Sequence, residues 1–138
     1  MKPCLLALAL VMATAGNAYA AGRPSPAGAS VYIVTPAKGE VVSSPVKVVF
    51  GLSGMGVAPA GMDKVNTGHH HLLVDTTLPD LATPIPSTDN YRHFGGGQTE
   101  TVIELAPGQH TLQLLFADYT HTAHVPPVVS EQITITVE

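Results

Sequence analysis

Glycine and proline recur along this chain too closely for helices to form. There are 13 Gly and 12 Pro in 138 residues. Beyond residue 30, no run between them repeats its apolar positions every three or four residues. A Pro inside a helix is less favourable than Ala by about 3 kcal/mol, and a Gly by about 1 kcal/mol. What does repeat has a period of two. Val46, Val48, Phe50 and Leu52 alternate with Lys47, Val49, Gly51 and Ser53. Leu112, Leu114 and Phe116 alternate, and so do Ile133, Ile135 and Val137, with Thr134 and Thr136 between them. Such alternation gives a strand one core face and one outer face. Residues 31–34, 69–75 and 98–105 read as further strands. Residues 53–68, 76–97 and 118–131 read as loops, being rich in Gly, Pro or both, with room for a short edge strand inside 76–97. The expected fold is all-β, a single immunoglobulin-like antiparallel β-sandwich of six to seven strands over residues 31–138. The cysteine pair and buried Trp of antibody domains are missing, so the likeness is one of architecture.

The first residues read as an address. Met1-Lys2 is followed by the apolar run Leu5–Met12 and by Ala18-Tyr19-Ala20, the pattern of a secretory signal peptide cut after Ala20. The run is too short to span a bilayer. A periplasmic or secreted location is expected, with residues 21–30 as a flexible leader. The sole Cys, Cys4, falls within the signal peptide, so the mature chain can form no disulfide and offer no thiolate. Its basic residues are Arg23, Lys38, Lys47, Lys64 and Arg92, scattered among ten acidic ones. Nucleic acids and anionic membrane surfaces need a basic stripe, and none is present.

The seven histidines carry the functional question. Three stand together in Gly68-His69-His70-His71-Leu72-Leu73-Val74-Asp75. Imidazole is the commonest transition-metal ligand and titrates near neutral pH. Mapped in order onto an immunoglobulin-like frame, residues 46–52 become strand B, 69–75 C, 98–105 E, 111–117 F and 132–137 G. The B–C and F–G loops then meet at one end. That pole would gather His69, His70, His71, His93, His121 and His124, leaving His110 at the other. Parity sends Leu72 and Val74 to the core and His70 with them, as a hydrogen-bonded, partly buried residue. His69 and His71 face the other way, with side chains rooted about 7 Å apart, near enough to hold one metal. Further ligands are expected from His121, His124, His93 or Asp118. Nitrogen and oxygen ligands without thiolate suit copper, zinc or nickel. Met55 and Met62 are either thioether ligands for Cu(I) or apolar filler. Asp118 is expected to tie down the loop after strand F.

Signals for catalysis are weak. No Ser lies in a G-x-S-x-G setting. Gly95-Gly96-Gly97 lacks the Lys-Ser/Thr of a phosphate loop and reads as a turn with positive φ or a close backbone approach. A metal-dependent hydrolase would need a carboxylate base, and Asp75 is the nearby candidate.

Three motifs together resemble a bacterial exported family, domain-of-unknown-function family 4399. They are Asn66–Asp75, then His93-Phe94-Gly95-Gly96-Gly97-Gln98-Thr99-Glu100, then Pro107–Leu115 with Asp118 and His121. The resemblance spans about residues 31–138. It implies a small exported domain and assigns no catalytic or binding residue. Two readings stand. One is a non-catalytic binding module with a His-rich pole, holding copper or zinc through His69, His71, His93, His121 and His124. The other is a cell-envelope module that recognises a protein or glycan and uses its histidines as scaffold.

Overall fold

The computed structural model describes residues 21–138; the expected signal peptide lies outside the described residues. The described chain is all-β. Its strands are β1 Ser30–Thr35, β2 Val41–Val42, β3 Val46–Ser53, β4 Gly56–Val57, β5 Thr67–Val74, β6 Tyr91–His93, β7 Glu100–Ile103, β8 Gly108–Ala117, β9 Ala123–Val129 and β10 Ile133–Val137. No described helix is long and apolar enough to cross a membrane.

Two sheets divide these strands. The smaller has the order β1-β3-β7, all antiparallel. The larger has the order β2-β10-β8-β5-β4, with β6 also pairing β5 and β9 also pairing β8. It is mixed rather than purely antiparallel, because the two-residue strands β2 and β4 join β10 and β5 in parallel. The alternation foreseen in the sequence builds the core. Val31, Val46, Val48, Phe50 and Ile103 of the smaller sheet share one buried cluster with Leu72, Val74, Leu112, Leu114, Phe116, Ile133, Ile135 and Val137 of the larger.

The outer face of the larger sheet is covered as well. From Gly68 to Val74, every residue of β5 is buried. Residues 76–90 fold back over that face and complete a second apolar cluster, in which Ile85 packs with Leu73, Leu115, Ala117 and Ala123. The Ile85 N–H donates to the His121 carbonyl at 2.8 Å, which pins this roof to the β8–β9 turn.

Several stretches differ from expectation; besides the two-residue strands β2 and β4, which were not foreseen, two longer ones stand out. Residues 123–129, expected within a loop, form β9. Its ladder to β8 is interrupted, running Leu115↔Val129 and Phe116↔Val128, then Ala117↔Ala123. Pro126 and Pro127 lie in the gap, where no ladder N–H is needed. The turn after β8 is therefore only residues 118–122. Of residues 21–30, expected as a flexible leader, residues 22–25 run beside β9. There the Val125 N–H donates to the Arg23 carbonyl at 3.0 Å and the Ser25 N–H to the Val125 carbonyl at 3.1 Å.

Candidate metal centre

Three elements deliver four imidazoles to the covered outer face. β5 supplies His69 and His71, two residues apart and therefore on one side of the strand. β6 supplies His93, directly opposite His71 in the antiparallel register. Cross-strand partners like these have β-carbons about 4.5–5.5 Å apart. The tight β8–β9 turn supplies His121. Its backbone is left-handed at φ 67°, a conformation uncommon for a residue with a β-carbon. Asp118 shapes that turn. Its Oδ1 accepts from the Thr120 N–H and hydroxyl at 2.8 and 2.7 Å and from the Thr122 N–H at 3.2 Å. Its Oδ2 accepts from the Arg23 N–H at 3.0 Å.

One ring nitrogen from each of His69, His71, His93 and His121 lies within 4.8 Å of the other three. His69 Nε2 is 3.1 Å from His71 Nε2 and 3.1 Å from His121 Nδ1. A tetrahedral zinc with ordinary Zn–N bonds spaces its nitrogens by about 3.3 Å. The two contacts of His69 are thus close to the edge length of a metal tetrahedron, and the whole four-nitrogen set, His93 included, stays within 4.8 Å. His69 and His71 are buried, His121 is half-buried and His93 is exposed, so the centre opens to solvent on one side.

The electrostatics favour neutral imidazoles. Burial lowers the His69 pKa to about 4, with the proximity of His121 and His93 adding to the effect. Burial lowers His71 to about 3, with His69, His93 and His121 adding to the effect. His93 is also pushed down, by burial and then by His121. At neutral pH His69 and His71 therefore carry free lone pairs. Without a cation, protons bridge the facing nitrogens as hydrogen bonds. A neutral imidazole has one N–H and one acceptor nitrogen, so facing Nε2 atoms must take opposite roles. The Nδ1 atoms of His69 and His71 are meanwhile buried without a partner. A cation accepting the converging lone pairs would take the place of the bridging protons. The unpaired Nδ1 atoms mean that sheet geometry, rather than carboxylate or carbonyl props, orients these rings.

The other sequence candidates lie elsewhere. His124 was expected at the cluster, but β9 parity turns it to the opposite face, stacked on Phe116 with centroids 5.8 Å apart. Its Nδ1 is 3.3 Å from the Phe116 carbonyl and its Nε2 3.2 Å from that of Thr67, so backbone oxygens occupy both nitrogens. Gly68 makes this approach feasible, since a β-carbon there would lie 2.9 Å from the His124 ring and 2.2 Å from the Ala117 carbonyl oxygen. His70 faces the core as parity predicts. It is not hydrogen-bonded as expected, however. Both its nitrogens are buried and unpartnered between Phe50 and Phe116, and burial lowers its pKa to about 4. Asp75, considered as a hydrolytic base, sits at the far end of β5. There its Oδ2 pairs with His110 Nδ1 at 2.7 Å. At about 3.4 Å per residue, it is more than 10 Å from His71. The convergence is thus not a six-histidine rim at one pole but a four-histidine cluster on an outer sheet face. Reading residues 123–129 as a strand would have separated His124 from His121.

Comparison with known proteins gives one finding. A family model described as "Domain of unknown function (DUF4399)" matches residues 48–138, and the chain belongs to that family. Neither the curated proteins nor the solved structures yielded a match.

Proposed function

We propose that this member of the DUF4399 family is an exported, immunoglobulin-like binding module that holds a divalent transition metal, copper or zinc. His69, His71 and His121 are the principal ligands and His93 the fourth. The observation that carries this reading is the convergence of four imidazole nitrogens within 4.8 Å, two of them on buried rings. The donor set is all nitrogen, which suits Cu(II) and Zn(II), and affinity order favours copper. Asp118 supplies the nearby negative charge, close enough to favour a cation at His69. Its oxygens are already taken by the turn it organises, and Asp75 is held by His110. No free carboxylate base is therefore placed at the cluster among the described residues, and the site serves binding, storage or delivery rather than turnover. The strand order supports the immunoglobulin-like assignment: β1-β3-β7 matches an A-B-E sheet, and β10-β8-β5 matches G-F-C. Export rests on the pattern of residues 1–20.

The test is a competition titration of tag-free mature protein with Zn(II) and Cu(II), beside a His69→Ala/His71→Ala variant. One tightly bound equivalent that disappears in the variant is the expected outcome. Affinity no better than a loose surface His pair, or a variant that binds as well, would sink the reading.

A further inference from the structure

The four ligands are not alike, and their differences follow a path from the sheet to solvent. Two 3.1 Å contacts tie His71 and His121 to His69, and neither involves His93. His69 and His71 project from a strand buried along nearly its whole length. His93 is exposed and ends the three-residue strand β6, which pairs with β5 alone. Short, singly paired elements with exposed side chains open most readily. The chain that follows is held nevertheless. The Phe94 N–H donates to the His70 carbonyl at 3.1 Å, and the Gly95 carbonyl accepts from the Ala60 N–H at 2.8 Å. The backbone under His93 is thereby fixed, while its exposed ring rests against those of His69, His71 and His121, with centroids 5.0, 5.1 and 4.7 Å away.

Gly95 decides where that ring rests. A β-carbon at position 95 would stand 2.3 Å from His93 Cε1 and 2.5 Å from His93 Nε2. The ring lies across the face of the glycine and occupies the place of the missing side chain. Gly95 is not in the left-handed region of backbone space, so an alanine is compatible with the main chain. What it displaces is the tip of an exposed side chain, with the Ala60 β-carbon 3.2 Å away.

Resting on the metal-site reading above, we infer that His93 is the exchangeable ligand through which the metal enters and leaves, and that Gly95 seats it. An incoming cation is first met by His93 at the exposed edge, then taken by the three inner nitrogens, with His93 closing over it. Release runs in reverse: the His93 ring swings out and a competing donor takes its position. Gly95 is a positioning residue, since it acts through His93 and touches no metal.

The experiment loads wild type, His93→Ala, Gly95→Ala and His71→Ala with one equivalent of Cu(II). It then follows transfer to excess EDTA by stopped flow. Nitrogen hyperfine structure in the electron paramagnetic resonance spectrum counts the ligands, and the melting temperature of each metal-free protein is recorded. Changes in affinity among related complexes fall mainly on the dissociation rate, so His93→Ala and Gly95→Ala are expected to release copper at least about tenfold faster. Both should still bind one equivalent, with one nitrogen fewer, and Gly95→Ala should melt as wild type does. His71→Ala should lose stoichiometric binding. Release at the wild-type rate by either His93→Ala or Gly95→Ala overturns the inference. So does loss of stoichiometric binding in His93→Ala as complete as in His71→Ala. Failure of wild type to bind copper at all sinks the metal site itself, a result distinct from an intact site with unchanged release.

Discussion

The β5–β8 ladder carries histidines at both ends, and the two ends treat them oppositely. At the far end His110 has an acceptor for each nitrogen: Asp75 Oδ2 at 2.7 Å and the Ala106 carbonyl at 2.8 Å. The Asp75 hydrogen bond raises its pKa, helped by the one to Ala106. At the near end His69 and His71 face each other and His121, their Nδ1 atoms are buried and unpaired, and burial drives their pKa values down. Histidine density alone therefore does not mark a ligand site. An imidazole already given two acceptors is a fastener. One kept neutral, buried and aimed at other lone pairs is available to a cation.

Acid is expected to separate the two ends most strongly. In the folded chain His69 and His70 stay neutral down to about pH 4 and His71 down to about 3. In the unfolded chain each protonates near 6.5. Between those values the unfolded state binds more protons, so stability falls as pH falls, by about 1.4 kcal/mol per pH unit for each histidine. His110 has the opposite sign. Its pKa is raised on folding, so its contribution is complete below about 6.5 and is lost as pH rises through the raised value. Urea midpoints measured from pH 7 to 4 should drop steeply in wild type. A flat profile over that range would break the contrast between the two ends.

Metal sharpens the contrast at neutral pH. A cation at 100 times its dissociation constant stabilises the protein it binds by about 2.7 kcal/mol. Calorimetric melting with Cu(II) or Zn(II) should show that rise in wild type and in His110→Ala, and none in His71→Ala. A rise that depends on His110 instead would place the ligand at the wrong end.

His70 provides a contrast between the two faces of one strand. It lies between two ligands in sequence, yet it points into the core with both nitrogens unpaired. Replacing an unsatisfied buried polar group with an apolar one removes a penalty of about 1–3 kcal/mol, less any repacking strain. His70→Leu should therefore raise the denaturation midpoint and leave metal stoichiometry unchanged. Loss of metal binding would instead make His70 part of the site.

The division of β5 into two faces was legible from the sequence. Leu72 and Val74 fix the inward parity, and His69 and His71 follow to the other side. The anchoring role of Asp118 was also legible, because a short acidic side chain at a strand end has few other partners. The outer layer was not. Residues 76–90 have no periodicity to mark them as a roof, and their main apolar contribution, Ile85, is isolated between prolines. β9 was hidden for a related reason. Pro126 and Pro127 argue against a strand unless one knows that its ladder skips them, and that knowledge comes only from the partner strand. His124 was misplaced as a consequence. The spatial rank of His93 was equally unreadable, since it depends on pairing with β5 across a long irregular stretch.

The smallest expected effect lies at the fastener. Asp75 is at φ 53°, in the left-handed region that Asn tolerates well. Its Oδ1 also accepts from the Thr111 N–H at 2.8 Å, a bond that an asparagine carbonyl can keep. Asp75→Asn therefore removes charge while preserving the turn. The pair is partly exposed, with Asp75 at 41% side-chain accessibility, and such pairs are worth up to about 1 kcal/mol. The loss should appear near pH 6, where His110 is protonated in the wild type, and should fade as pH rises and the imidazole discharges. Paired urea titrations of the variant and wild type at pH 6 and pH 9 would measure it. An equal loss at both pH values would mean that Asp75 acts through its hydrogen bonds alone. A change in metal affinity would mean that the two ends of the ladder communicate, which the separation of His110 from the cluster argues against.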